Sequence, residues 1–170
     1  MKKIFLFVVL LFLQINYAFA NIAYVDMQKI LSTSNPGKSI LTQLSELNNK
    51  NKKNFKIKEE QLKIKEQKVI SQKNIISEKE FQSNINSLKI EIANFNKERN
   101  DIFSSFNKLK IDNTNKLLKL INPILVEYSQ KKSITMILRK KNIIMGKTEL
   151  DITNEIITLI NTNIKKFKIK

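Results

Sequence analysis

The side chains that perform most protein chemistry are missing from this chain or scattered along it. It has no His and no Cys, which removes catalytic triads, thiol nucleophiles and zinc sites in their usual forms. Glu59-Glu60 is its one adjacent pair of carboxylates. Neighbours on a helix point about 100° apart, and with Lys56, Lys58 and Lys63 alongside, the pair reads as surface ion pairs. Gly37 and Gly146 are the only glycines, too few for a phosphate-cradling loop. The sequence therefore predicts no enzyme, no metal and no cofactor. What remains is the chemistry of contact, carried by apolar side chains and charge.

The element that must present those groups spans residues 38–122, where neither Gly nor Pro occurs. A run this long, rich in Lys, Glu, Gln, Leu and Ile, reads as helix. Unbroken, it would reach about 125 Å at 1.5 Å per residue. Ser77-Glu78-Lys79-Glu80 is a capping box, and Ile76 with Phe81 around it forms a hydrophobic staple. The helix is thus expected to restart at Ser77 and fold back, with the tip of a helical hairpin near residues 73–77.

The two arms of that hairpin differ. In the first, Phe55, Leu62, Val69 and Ile76 recur every seven residues, but Asn51, Lys58, Lys65 and Gln72 hold the second seam position, where a coiled coil wants apolar side chains. Nine Lys against three Glu lie between Lys50 and Lys73. The returning arm keeps a 4-3 spacing through Phe81, Ile85, Leu88, Ile92, Phe95, Arg99, Ile102, Phe106, Leu109 and Asn113. One good stripe facing one poor stripe leaves apolar surface over, and such surface usually meets a partner. Phe55, Leu62, Val69, Ile76, Phe81, Phe95 and Phe103, with Lys52, Lys53 and Lys56, are the candidate contact residues.

The ends are different in kind. Lys2 and Lys3, the apolar run over 4–13 and Ala18-Phe19-Ala20 make a secretory signal peptide over residues 1–20, with cleavage expected after Ala20. The run is shorter than the ~20 residues that cross a bilayer. Without Lys2 and Lys3 the 31 basic side chains fall to 29 against 15 acidic ones, about +14. Such a field attracts polyanions. In an exported protein these are anionic lipid, lipopolysaccharide or acidic polypeptide; a histone-like nucleic-acid binder fits the charge but not the export signal.

Ile22-Ala23-Tyr24-Val25 reads as a strand passing into a short helix capped by Asp26. Asn35 before Pro36 is expected to cap the first arm. Pro123 should interrupt and kink the returning helix, which then continues through Ile124, Leu125 and Tyr128. Residues 134–138 and 143–145 read as a β-hairpin around a four-residue loop. Asp151 or Thr153 should cap a last helix with Ile152, Ile156, Leu159, Ile160 and Ile164 on one face. Three short strands and two short helices are too few to close a core in one chain, so self-association through Ile22, Tyr24, Val25, Ile134, Met136, Leu138, Ile143 and Met145 is expected. The fold class is α+β and mostly α: a hairpin arm over 38–122 on a β-rich body made of 21–37 and 123–170.

The residues from Ile22 to Leu31, followed by Asn35-Pro36-Gly37-Lys38, resemble the start of the Skp/OmpH family of periplasmic chaperones. Asn122-Pro123-Ile124, the pair of apolar runs over 134–145 and Asp151-Ile152-Thr153 match that family's ending in order and spacing. The resemblance implies a jellyfish-like homotrimer whose β-barrel-like body carries three hairpins around a cavity. It implies a periplasmic holdase that needs no ATP, binds unfolded outer-membrane proteins, and in some members meets lipopolysaccharide or anionic phospholipid. No motif carries a lipopolysaccharide site onto particular residues. The rival reading is a structural coiled-coil spacer of the envelope, which predicts a well-filled seam.

Overall fold

The computed structural model describes residues 20–165 and 167–169. Apart from Ala20, the expected signal peptide lies outside the described residues. In chain order come strand β1 (Ile22–Val25), helices α1 (Met27–Thr33), α2 (Asn35–Ser71) and α3 (Glu78–Lys131), strand β2 (Met136–Arg139) and helix α4 (Thr153–Asn163).

Local signals set most of these limits. Asp26 caps α1, its carboxylate accepting from the Lys29 amide at 2.9 Å. The Asp26 amide donates to the Thr153 hydroxyl at 2.9 Å, which ties the start of the chain to the start of α4. Ser34, not Asn35, caps α2: its hydroxyl accepts from the Gly37 amide at 3.3 Å. The Asn35 amide is taken instead by the Asn161 side chain at 2.7 Å. Pro36 then lies in the first turn, where a missing N–H costs nothing. Gly37 is required by proximity, since a Cβ there would stand 2.0 Å from the Leu31 carbonyl oxygen.

Ser77 caps α3 as expected, accepting from the Glu80 amide at 3.3 Å. The other half of the box differs, for the Glu80 carboxylate turns to the Ser77 hydroxyl at 3.4 Å. The helix runs through Pro123 to Lys131. Ser133 then takes a left-handed φ of 52°, a conformation that reverses chains after a helix. The Thr135 amide donates to the Asn21 carbonyl at 2.8 Å, and the chain enters β2 beside β1.

The expected β-hairpin over 134–145 does not form. β2 pairs with β1 in parallel, Ile22 opposite Met136 and Val25 opposite Arg139. With that edge of β2 taken, residues Lys140–Asn142 curl into a 3-10 turn, a loop that lacks the Asn-Gly or Gly-X pair of tight hairpins. Ile144 and Met145 stand in solvent, 105% and 90% exposed. The base of the molecule is accordingly helical with two short strands rather than β-rich.

Nor does closing the core require a second chain. Ala23, Val25, Ile30, Ile152, Ile156 and Ile160 pack with Ile40 and Leu44 of α2 and with Leu117, Ile121 and Ile124 of α3. The sequence reading had left the roots of the long helices out of this core. Burying these side chains at roughly 1.5–3 kcal/mol each is what holds the two ends of the chain together. α4 presents the expected apolar face to this core. Its cap is Ile152, without a side-chain bond. Asp151, one residue earlier, accepts from the Thr153 amide at 3.0 Å and from the Thr153 hydroxyl. Beyond α4, Phe167 and Ile169 lie on the core. Ser39 and Gln43 donate to the Phe167 carbonyl at 2.9 and 3.0 Å.

Asp151 also pairs with Lys140 at 3.0 Å. Burial pushes its carboxyl up, but the Thr153 hydroxyl, Lys140 and the Thr153 amide together hold it below the usual value. Lys140 is correspondingly raised, chiefly by its hydrogen bond to Asp151.

Candidate functional site: the surface of the helix pair

From the base outward, α2 and α3 run antiparallel through ion pairs and a thin apolar seam. Lys58 meets Glu98 and Lys65 meets Glu91, both at 2.5 Å, and Arg99 meets Glu59 at 3.5 Å. Glu59 thus pairs across the seam, not with the lysines near it in sequence. All six side chains are roughly half exposed, so each pair contributes about 0–1 kcal/mol.

The apolar part of the seam centres on Phe95. Its ring meets that of Phe55 edge-on at 6.1 Å between centroids, and the Arg99 guanidinium lies 6.0 Å from its centre. Leu88 is the other buried apolar side chain on this stretch of α3. Asn113, also at a seam position, is tolerated because its amide returns to the Leu109 carbonyl at 2.7 Å. Lys58 and Lys65 leave the second seam row of α2 unfilled, as the heptads foretold. Grooves of about 460, 600 and 530 Å³ follow the contact between the helices.

The candidate contact residues divide three ways. Phe55, Leu62, Val69, Ile76 and Phe81 are half-buried in the seam. Phe95 is 8% exposed and belongs to the packing between the helices, while Phe103 is 67% exposed. Lys52, Lys53 and Lys56 are exposed. Further exposed apolar side chains on the helix pair are ones that heptad reading passed over: Ile57, Ile64, Ile70, Ile75, Ile90 and Ile111. Ile57 and Ile64 stand two residues after Phe55 and Leu62, so they repeat with the same period on another face of α2. That second stripe was the signal available in the sequence.

At the base, the alternation of the strands splits the candidate association residues. Val25 is in the core and Tyr24 is covered, its hydroxyl donating to the Lys147 carbonyl at 3.2 Å. Gly146 leaves room for that ring, since a Cβ there would lie 3.0 Å from it. Ile134 and Ile143 are half-buried. Ile22, Met136 and Leu138 share the outer face of the sheet and are 38–52% exposed, with Ile144 and Met145 beyond them.

Among the described residues no group of carboxylates gathers to hold a metal, and no helix is long and apolar enough to cross a membrane. The whole is a long basic helix pair with stranded apolar side chains, rooted in a small mixed base. The chain matches the family profile described as outer membrane protein (OmpH-like) over residues 21–160 and belongs to that family. No curated protein sequence matches it. Among solved structures it is similar to an OmpH-like protein of Caulobacter crescentus described as a candidate outer membrane chaperone, with 11% identity, 90% of each chain covered and a TM-score of 0.76.

Proposed function

We propose that this chain is a periplasmic holding chaperone that works without ATP and keeps unfolded outer-membrane proteins from aggregating. The observation that carries the reading is the row of large apolar side chains left in solvent on a lysine-rich helix pair, from Ile57 and Ile64 to Phe103. A holding chaperone needs many weak contacts of low specificity, and scattered apolar groups supply them. The basic field adds fast, salt-sensitive capture of acidic clients, and the same field suits lipopolysaccharide or anionic phospholipid as a second partner. Family membership and the fold shared with an OmpH-like chaperone candidate point the same way. A signal peptide over residues 1–20 delivers the chain to the periplasm in this account.

The exposed outer sheet face of Ile22, Met136 and Leu138, with Ile144 and Met145, supports self-association at the base. The family resemblance makes that assembly a homotrimer, with three helix pairs projecting as arms around a client cavity. A spacer role is disfavoured by the unfilled seam row at Lys58 and Lys65.

The test is light scattering of a urea-unfolded outer-membrane β-barrel diluted with and without the mature chain. Suppressed scattering at stoichiometric ratios supports the holdase; unchanged scattering removes it and leaves the spacer or a binder of anionic lipid or lipopolysaccharide. Raising salt to molar concentration should weaken capture without abolishing it, because apolar contact survives screening. Capture unchanged by salt would remove the electrostatic half of the account.

A further inference from the structure

The chain continues past α4 into a short tail. The matched family profile ends at residue 160, yet Phe167 and Ile169 lie on the core of the base while Lys168 between them is exposed. That alternation is the mark of extended chain, in which every second side chain turns to the same face. The tail belongs to neither strand of the sheet, and its main chain is met instead by a side chain. The Gln43 carboxamide donates to the Phe167 carbonyl at 3.0 Å and accepts from the Ile169 amide at 3.3 Å. In a parallel ladder a residue bonds in this way to the two neighbours of the residue opposite it. Gln43 does the same around Lys168.

Two further contacts fix this clamp. The Ser39 hydroxyl donates to the same Phe167 carbonyl at 2.9 Å. The Gln43 Nε2 also lies 3.1 Å from the Ser39 carbonyl, which leaves the side-chain oxygen turned toward Ile169. An amide offers both donors and an acceptor, and here both functions are spent on the tail.

The tail joins a fixed element to a long lever. α4 is fixed, since Ile156 and Ile160 are fully buried and the Asn161 side chain holds the Asn35 amide at 2.7 Å. Ser39 and Gln43 lie in the second and third turns of α2, which then runs on to Ser71. Ile40 and Leu44 bury one face of this root in the core. Ser39 and Gln43, each one residue earlier, offer the neighbouring face to the tail. Lys68 stands about 38 Å farther along α2 at 1.5 Å per residue, so a tilt of about 5° at the root carries it about 3 Å.

We infer that the C-terminal tail is a latch: docked on Ser39 and Gln43 it sets the angle at which α2 leaves the base, and released it frees the helix pair to swing. The inference does not depend on what the helix pair carries.

The test uses the intact mature chain. Because it has no Cys, spin labels can be placed by Lys68→Cys on α2 and Glu149→Cys on the base, both exposed positions. Dilution of the labelled chain into a large excess of unlabelled chain confines the measured distance to one copy. Two changes open the latch from opposite sides. Gln43→Met removes both amide bonds at nearly constant size, and Phe167→Ser removes an apolar anchor of the tail. Docking is read by trypsin at the Lys168–Ile169 bond, whose amide Gln43 holds. Cleavage there follows the released population and should rise about tenfold in either variant, the worth of roughly 1.4 kcal/mol. The distance distribution between the labels should broaden by about 3 Å or more in both. Unchanged cleavage in Gln43→Met overturns the docking. Faster cleavage with a distribution as narrow as that of the wild-type chain overturns the hold of the tail on α2.

Discussion

Phe95 is the keystone of the contact between α2 and α3, and replacing it with Ala tests how the molecule divides its stability. The ring is 8% exposed and meets Phe55 and Arg99. A buried Phe→Ala change costs about 3–5 kcal/mol, of which an aromatic pair accounts for about 0.5–1.5. Here the low end applies, because an open groove of about 460 Å³ already adjoins the ring and water can enter the space it leaves. About 3 kcal/mol corresponds to roughly a hundredfold change in an opening equilibrium. The effect should stay local, since Phe95 stands about 33 Å along α3 from Leu117 in the core of the base. Hydrogen exchange read by mass spectrometry should therefore speed up about a hundredfold in peptides covering residues 51–62 and 88–102. Peptides carrying Ile30, Leu117 and Ile156, all 0% exposed, should not change. Equal acceleration in the base would refute the division into a firm base and a loosely held helix pair. No acceleration anywhere would refute the role of Phe95.

Further outcomes follow from single contacts. Gly37→Ala places a methyl group 2.0 Å from a backbone carbonyl, so urea denaturation should report a loss at the upper end of the usual 1–3 kcal/mol for overpacking; unchanged stability would contradict the tight corner between α1 and α2. Asp151 has a lowered carboxyl pKa in the folded chain, so its contribution is present above its ordinary value and disappears as pH falls through the lower folded one. Asp151→Asn should thus lower the melting temperature at neutral pH and shrink the further drop on going to about pH 3; an identical drop in both proteins would contradict the tie. Phe103→Ser removes a side chain that is 67% exposed and should leave the melting temperature within experimental error while weakening capture of unfolded protein. A large loss of stability in that variant would place Phe103 in the packing instead.

Features written in adjacent residues were legible in the sequence. The caps at Asp26 and Ser77, the passage of α3 through Pro123 and the apolar face of α4 all depend on neighbours within a turn or two. The unfilled seam row at Lys58 and Lys65 could be read from the heptads for the same reason. Pairing of β1 with β2 could not, because nothing near Ile22 announces a partner at Met136. Residues 134–145 then supplied two apolar runs that looked like each other's partners. The closed core was underestimated because Ile40, Leu44, Leu117 and Ile121 belong to helices that continue far beyond it. On the surface, fixing on one heptad row hid Ile57 and Ile64, which share its period on a different face.

Size-exclusion chromatography with multi-angle light scattering addresses the central claim most directly. An isotope-labelled outer-membrane β-barrel, unfolded in urea, is diluted into the mature chain and the eluted complex is examined by NMR. The account predicts a soluble complex of defined mass, built on an oligomer of this chain, in which the client gives the narrow amide dispersion of an unfolded polypeptide. A lone, monomeric chain eluting free of client, with the β-barrel lost to aggregates, would contradict it.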